Sequence, residues 1–170
     1  MKETYQFFDQ KNHQFDLIKA STELTKNSVD VKFHISPKLS TDEIKLESQT
    51  ILGQHLSRKI GLWQKTCFEL FIKNKFGDDY YEINFSPKHL QWNAFYFSSY
   101  RSPLTETNKI LFNDYSYQNG VIAFKLMLPE GEFSLFPKVV LFQEVSNTYT
   151  YLSHLPHPKT GPDFHIFSVS

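Results

Sequence analysis

Residues 67–85 constrain the fold more than any other part of this sequence, because they have the pattern of a β-hairpin. Apolar residues alternate with polar ones in residues 67–75 and again in residues 80–85, a period of two that is typical of strands. Phe76-Gly77-Asp78-Asp79 lies between the two runs, and Gly and Asp favour tight turns between antiparallel strands. The segment therefore predicts an antiparallel sheet on which the rest of the chain packs.

The alternation also assigns the two faces of this hairpin. The core face should carry Phe68, Leu70 and Ile72 beside Tyr81, Ile83 and Phe85. The opposite face should carry Cys67, Glu69, Phe71 and Lys73 beside Glu82, Asn84 and Ser86. With a turn at residues 76–79, Lys73 lies near Glu82 and Phe71 near Asn84. Such a mixed face is typical of a solvated surface with a Lys73–Glu82 ion pair, and it also suits a sugar-binding surface.

Short strand-like runs separated by turn residues continue along the chain. The predicted strands are residues 29–35, 91–98, 109–112, 121–128, 138–145, 149–153 and 165–169, with turns at Asn119-Gly120 and Ser146-Asn147. Residues 38–62 are assigned as a connection, in which residues 41–44 could cap a short helix or lead into a short strand at residues 44–46. The 17 Phe and 9 Tyr residues also favour β-structure. We expect one domain over residues 1–170, an all-β, antiparallel two-sheet β-sandwich with few or no helices.

Charge and cysteine content narrow the classes of partner. The 18 basic and 18 acidic residues cancel, which disfavours binding to nucleic acid or to an anionic membrane surface. The single cysteine, Cys67, excludes an intrachain disulfide and a thiolate metal cluster. Residues 1–5 lack the apolar core of a secretory signal, and no apolar run is long enough to span a bilayer. We therefore expect a cytoplasmic protein.

Several motifs resemble a known class of β-sandwich. Residues 62–72 resemble the family 9 carbohydrate-binding modules, in which a Trp precedes a polar stretch and a strand containing Glu; here Trp63 precedes Glu69 by six positions. A wider set is similar to small bacterial DOMON-like proteins that have no settled activity, over residues 60–170. This set comprises Leu62-Trp63-Gln64, Thr66-Cys67-Phe68-Glu69, Asn84-Phe85-Ser86-Pro87, Tyr100-Arg101 and Pro162-Asp163-Phe164-His165.

The resemblance implies a non-catalytic module that binds a saccharide or another small polar ligand. Trp63 would stack on the sugar, Glu69 would accept hydrogen bonds from its hydroxyls, and Asn84 or Arg101 would donate, with Glu82 on the same face. Family 9 modules usually add a second Trp near the C-terminus. Leu155-Pro156-His157-Pro158 stands there in this chain, so that His157 or Tyr151 would substitute. Trp63 could instead be a core aromatic, and Trp92 is expected to serve in packing.

DOMON relatives also include haem proteins that use Met and His as axial ligands. The two methionines here are Met1 and Met127, and the apolar neighbours of Met127 predict that it fills the core. We therefore expect no haem and no other cofactor. Cys67, at the start of a strand, is expected to be an inert, partly buried residue.

Two alternative functions remain open from the sequence. His154, His157, Asp163 and His165 lie within twelve positions, and such side chains could bind zinc in a metal-dependent enzyme. The intervening prolines favour an extended surface loop instead, in which Asp163 and His165 would bind Arg101 or a backbone group. The other alternative is a scaffold that binds a protein partner through an aromatic surface.

Overall fold

The computed structural model describes residues 1–39, 44, 49–52 and 56–167; these residues form mainly strands, with a turn of 3₁₀ helix at Leu62–Gln64. The strands are β1 (Lys2–Phe8), β2 (Gln14–Leu24), β3 (Ser28–Ile35), β4 (Gln49–Leu52), β5 (Ser57–Arg58), β6 (Cys67–Asn74), β7 (Tyr80–Ser86), β8 (Gln91–Phe97), β9 (Thr105–Glu106), β10 (Leu111–Gln118), β11 (Val121–Met127), β12 (Phe133–Gln143) and β13 (Thr148–Ser153). The predicted all-β class is confirmed.

The strands form one strongly curled sheet that folds over itself. Its hydrogen-bonded order is β4-β10-β11-β3-β2-β1-β13-β12-β6-β7-β8-β5, with β9 beside β8, and every pair is antiparallel except β5 with β8. Strands β1 and β13 meet at one residue pair, Phe8 with Ser153, and this narrow contact separates two halves. The halves face each other, as Phe33 on Phe68 (ring centres 4.9 Å apart) and Phe85 on Phe124 (5.5 Å) show. The arrangement is that of a β-sandwich.

The main core lies between the two halves and is made of the inward-facing residues of both. Removing this apolar surface from water is the main stabilising contribution to such a fold. Trp92 belongs to this core and packs 5.3 Å from Phe112, as its packing role predicts. Met127 does not belong to this core. Leu126 and Leu128 point inward on either side of it, and Met127 is 37% exposed. The prediction that Met127 fills the core was wrong because it ignored the alternation of β11.

The central hairpin β6–β7 has the predicted faces but a different register. Lys73 lies opposite Tyr80, and Phe71 lies opposite Glu82. Asn74 lengthens the connection: its Oδ1 accepts a hydrogen bond from the Phe76 amide (3.0 Å) and its Nδ2 donates to Asp79 (3.2 Å). The Lys73 ammonium donates to the carbonyl of Gly77, so the predicted Lys73–Glu82 ion pair does not form. A shift of two residues keeps each side chain on its face, which is why the faces were predicted correctly.

Other strand boundaries differ from the sequence predictions. The pattern gave no strands at the N-terminus, where β1 and β2 form, and it assigned as connection the region that contains β4 and β5. Strand β10 begins at Leu111 and continues to Gln118, well beyond the predicted 109–112. Residues 165–167 form no strand, and residues 168–169 of that predicted strand lie outside the described residues. Residues 41–43 and 45–46, where a short helix or strand was predicted, also lie outside them.

The predicted turn at Asn119-Gly120 is confirmed and joins β10 to β11. Both residues have positive φ angles, 51° and 75°, as a tight hairpin turn requires. A Cβ on Gly120 would lie 2.8 Å from the carbonyl oxygen of Ile35, so both the backbone conformation and the close approach favour glycine. In the described part of the chain, no helix has the length and apolar character needed to cross a membrane.

Candidate functional site

The outward face of the β12-β6-β7-β8 sheet carries a row of buried polar side chains. Lys138, Glu69, Asn84 and Asn93 lie opposite one another on these four successive strands. All four are buried, with Glu69 only 2% exposed and Lys138 only 1% exposed. The prediction of a solvated face was therefore wrong. Strand alternation placed the residues on this face correctly but could not show that another part of the chain covers it.

Aromatic residues and the C-terminal segment, residues 154–167, cover this face. Phe71, Tyr80, Phe95 and Phe97 form a second apolar cluster on it, and Trp63, Phe136, Phe164 and Phe167 pack against that cluster. The ring of Trp63 lies edge-on to that of Phe95, with centres 5.9 Å apart, and the ring of Phe167 lies 4.9 Å from that of Tyr80. The polar row is thus enclosed between the sheet and the C-terminal segment.

Asp163 fastens one end of the C-terminal segment. Its Oδ2 lies 3.2 Å from Nη2 of Arg101 and accepts a hydrogen bond from the hydroxyl of Tyr100 (2.5 Å), while its Oδ1 accepts one from the amide of His165 (2.9 Å). Although partial burial alone would raise the pKa of Asp163, these hydrogen bonds and the Arg101 charge hold it below its usual value. The ion pair between Asp163 and Arg101, one of the alternatives from the sequence, is present.

His157 fastens the segment near its beginning. Its amide donates to Oδ1 of Asn12 (2.6 Å), its carbonyl accepts from Nδ2 of the same Asn12 (3.1 Å), and its Nε2 lies 3.1 Å from the carbonyl of Tyr151. These contacts join the segment to the β1–β2 connection and to β13. His157 therefore has a structural position here.

A cavity of about 430 Å³ lies between the sheet and the C-terminal segment, within the usual size range of small-ligand sites. Its walls combine aromatic rings with ionisable groups. The lining residues are Trp63, Glu69, Phe71, Glu82, Phe97, Arg101, Leu104, Val140, Tyr151, Pro162, Phe164 and His165.

Two carboxyl groups that line this cavity, and the amine opposite one of them, have shifted pKa values. Burial raises the pKa of Glu69 well above its usual value, and the neighbouring Glu82 adds to that effect whereas Lys138 opposes it. Burial raises the pKa of Glu82 to about 7, although a hydrogen bond of 2.7 Å donated by Asn84 acts to lower it. Burial lowers the pKa of Lys138 to about 7, although the negative charge of Glu69 acts to raise it. For each of these groups, burial favours the neutral form, whereas hydrogen bonds or opposite charges nearby favour the charged form.

His165 connects the C-terminal segment to the polar face. Its Nδ1 lies 2.6 Å from the hydroxyl of Tyr80, and its Nε2 lies 3.9 Å from Oε2 of Glu82. Burial lowers the pKa of His165 to about 4, so the imidazole is neutral near pH 7. Tyr80 also accepts a hydrogen bond from the amide of Arg101 (3.3 Å), and burial raises its pKa to about 12. The hydroxyl of Tyr80 therefore stays protonated at neutral pH.

Most of the residues predicted to bind ligand lie together. Trp63, Glu69, Glu82 and Arg101 all line the cavity. Asn84 lies behind this lining, donating to Glu82, with Sγ of Cys67 3.7 Å from its Oδ1. His157 does not line the cavity. Of the two residues considered in place of a second Trp, Tyr151 forms part of the wall.

The four residues considered for a metal site lie in different surroundings. His154 packs against Tyr5 and Phe136, while His157 binds backbone groups and Asp163 pairs with Arg101. Within residues 1–39, 44, 49–52 and 56–167, no group of three or more His, Cys, Asp or Glu side chains is placed to hold a metal ion. His165 contacts Tyr80 and Glu82, so that all four residues have packing or anchoring positions.

Among the polar residues that contact the cavity lining, sequence reasoning missed Lys138 and Tyr80. Lys138 had a signal, since it is the one charged residue in an otherwise apolar run from Leu135 to Phe142. A charged residue in such a run is rarely buried without a partner. Tyr80 had no comparable signal, because its partner His165 lies 85 positions away in the sequence.

Comparison with known proteins supports the fold alone. No protein-family model matches the chain, and a search of curated proteins found no match. One solved structure is similar: the crystal structure of a proposed carbohydrate-binding protein from Bacteroides uniformis, with a TM-score of 0.56 and 10% sequence identity. The match covers 95% of this chain and 82% of that one. At this identity the likeness shows a shared architecture.

Proposed function

We propose that this chain is a non-catalytic ligand-binding module that holds a saccharide, or another small polar ligand, in the cavity beneath the C-terminal segment. The observation that carries the proposal is the combination of Trp63 with Glu69 and Glu82 on the walls of one cavity. A pyranose has an apolar face that packs on an aromatic ring and hydroxyls that need a few placed polar partners. This cavity supplies both.

The remaining cavity residues suit the same role. Arg101 provides N–H donors at the mouth, where its side chain is 56% exposed, and His165 provides a neutral imidazole inside. A neutral imidazole or a protonated carboxyl group can hydrogen-bond hydroxyls without the desolvation cost of a full charge. We propose that no bound cofactor takes part, because the described lining residues supply the required contacts themselves.

Two resemblances support this proposal. The motifs around Trp63 and Glu69 resemble those of family 9 carbohydrate-binding modules and DOMON-like proteins, and both residues line the cavity. The structural neighbour from Bacteroides uniformis is itself a proposed carbohydrate-binding protein. Shared architecture does not fix function in β-sandwiches, so the cavity residues have to be tested directly.

The proposal is tested by calorimetric titration of the protein with a panel of monosaccharides and oligosaccharides. We expect saturable binding of at least one saccharide, and we expect Trp63→Ala to weaken it about 10-fold or more, given the usual contribution of a stacked aromatic ring. Phe76→Ala is the matched control, since Phe76 is an exposed aromatic residue in the β6–β7 turn and does not line the cavity. Unchanged affinity in Trp63→Ala, or no binding across the panel, would contradict the proposal.

Tryptophan fluorescence offers an independent test, because the two tryptophans lie in different environments. Trp63 lines the cavity, whereas Trp92 is buried in the main core. A ligand in the cavity should change the emission of wild-type protein and of Trp92→Phe, and should leave the emission of Trp63→Phe unchanged. A response that persists in Trp63→Phe would place the ligand elsewhere.

A further inference from the structure

The carboxyl group of Glu69 has unused hydrogen-bonding capacity on the cavity side. The residue is 2% exposed and lines the cavity. The thiol of Cys67 interacts with this carboxyl but donates to Oδ1 of Asn84 (3.7 Å). A thiol is a weak donor, whereas a carboxylate has about four acceptor sites. Glu69 is thus a buried polar group whose remaining acceptor sites face the cavity.

The ionisable groups buried at this site include more acids than bases. Glu69 and Glu82 supply two carboxyl groups, whereas Lys138 supplies one ammonium group, which also donates to Oγ of Ser153 (2.6 Å). Arg101 pairs with Asp163 at the mouth, and the imidazole of His165 is neutral near pH 7. If both carboxyl groups ionise, one buried negative charge has no cationic partner, and burial makes such a charge costly.

The aromatic walls favour the type of group that would balance this charge. Trp63, Phe71 and Phe164 line the same cavity as the two carboxyl groups. The faces of aromatic rings attract cations, and a desolvated ammonium group gains most from them. The protein already uses this interaction nearby, because Nζ of Lys138 lies 5.6 Å from the ring centre of Phe164.

We propose that the ligand carries a protonated amino group that binds between Glu69 and Glu82, so that the preferred saccharides are amino sugars with a free amine. This inference rests on the proposed saccharide-binding function and specifies its ligand class. An ammonium group supplies three N–H donors and the missing positive charge. A neutral sugar supplies hydroxyl donors but leaves one of the two carboxyl groups without a counter-charge when both are ionised.

The test compares matched sugars by calorimetry at pH 6.5. The pairs are glucose with glucosamine, galactose with galactosamine and mannose with mannosamine, each with the N-acetylated form, which has no positive charge. We expect at least one amine to bind about 10-fold or more tightly than both its neutral partner and its N-acetylated form, the scale of one buried charge interaction. Acetylation thereby separates a requirement for charge from a requirement for a 2-substituent.

Two variants locate the amine. Glu69→Gln and Glu82→Gln keep the side-chain shape and remove the negative charge, so each should lower the ratio of amine to neutral-sugar affinity about 5-fold or more. Glu23→Gln, at an exposed position on β2 outside this cavity, is the control and should leave the ratio unchanged. If one of the cavity variants fails to fold, the other still provides the test.

Proton release provides a second measurement on the unmodified protein. An incoming ammonium group favours ionised Glu82, so binding of the amine at pH 6.5 should release protons and its heat should depend on the ionisation enthalpy of the buffer. Neutral sugars that bind as tightly as their amines, or a ratio unaffected by both Gln variants, would overturn this inference and leave the proposed function standing. Failure of all neutral and amino sugars to bind would overturn both.

Discussion

Lys138 and Glu69 lie directly opposite each other on strands β12 and β6, and both side chains are buried on the outward face of the sheet. An amine and a carboxyl group in such a position depend on each other, because each loses its hydration on folding. The same face carries Glu82 and the cavity, so the pair links the stability of the fold to the chemistry of the site.

Removal of both members of this pair should cost less stability than the two single removals added together. Lys138→Met and Glu69→Gln should each lower the free energy of unfolding by about 3 kcal/mol, because each leaves a buried polar group without its partner. The double variant should lose clearly less than the sum of the two single variants. Urea unfolding at pH 7 measures all three.

An exposed ion pair in the other half of the protein is the matched control for these single and double variants. Lys125 and Asp30 lie 3.5 Å apart on β11 and β3, with side chains 37% and 41% exposed. Lys125→Met and Asp30→Asn should each change the free energy of unfolding by less than about 1 kcal/mol. Additive losses for Lys138 and Glu69, or equal losses at the two sites, would show that burial does not couple the pair.

Glu82 should make the protein less stable as the pH rises from about 4.5 to about 7. Burial raises its pKa to about 7 in the folded state, so between these values the folded state holds a proton that the unfolded state has lost. The difference in unfolding free energy between wild type and Glu82→Gln should fall over this window by on the order of 2 kcal/mol and level off above it. A flat difference would show that Glu82 ionises normally.

His154 should have the opposite effect at lower pH. Burial, with a contribution from Lys138, lowers its pKa to about 4, so the stability it contributes is complete above about pH 6.5 and is lost as the pH falls towards 4. His154→Gln should remove on the order of 2 kcal/mol of this acid destabilisation. Thermal unfolding from pH 7 to pH 4 measures it, with His34→Gln on the exposed side of β3 as the control.

Asp163→Asn should loosen the C-terminal segment without unfolding the sandwich. The substitution removes the ion pair with Arg101, whose exposure limits the loss of global stability to less than about 1 kcal/mol. Hydrogen exchange in residues 162–167 should become faster, whereas exchange in β6 and β7 should not change. Uniform acceleration throughout the chain would show that Asp163 supports the whole fold.

Gly120→Ala should destabilise the β10–β11 hairpin. The added methyl group meets the carbonyl oxygen of Ile35 at 2.8 Å, and alanine tolerates the φ angle of 75° poorly. We expect a loss of about 1–2 kcal/mol in denaturant unfolding. At Gly161, φ is 126° but no atom lies within 4 Å of an added carbon. Gly161→Ala therefore measures the cost of the backbone conformation without that of a steric contact. Equal losses at both positions would exclude a role for the contact.

Local patterns in the sequence were sufficient for much of the fold and part of the site. Alternation in residues 67–85 predicted which side chains share a face, and Asn119-Gly120 predicted its turn, because both depend on neighbouring residues. The hairpin register was two residues off because the side chain of Asn74 organises a longer connection. The N-terminal strands were not predicted, although β2 also has an alternating burial pattern.

The sequence by itself determined the all-β class, the hairpin faces and the placement of Trp63, Glu69 and Glu82 near one another. Only the tertiary structure decided that this face is enclosed and that Lys138 and His165 belong to it. The physical reason is that alternation encodes which side of a sheet a residue faces, not what covers that side. The segment that covers this face lies more than 60 residues away in sequence from β7. The contacts of Asp163 with Arg101 and of His165 with Tyr80 hold it in place, and the resulting burial shifts the pKa values of the site.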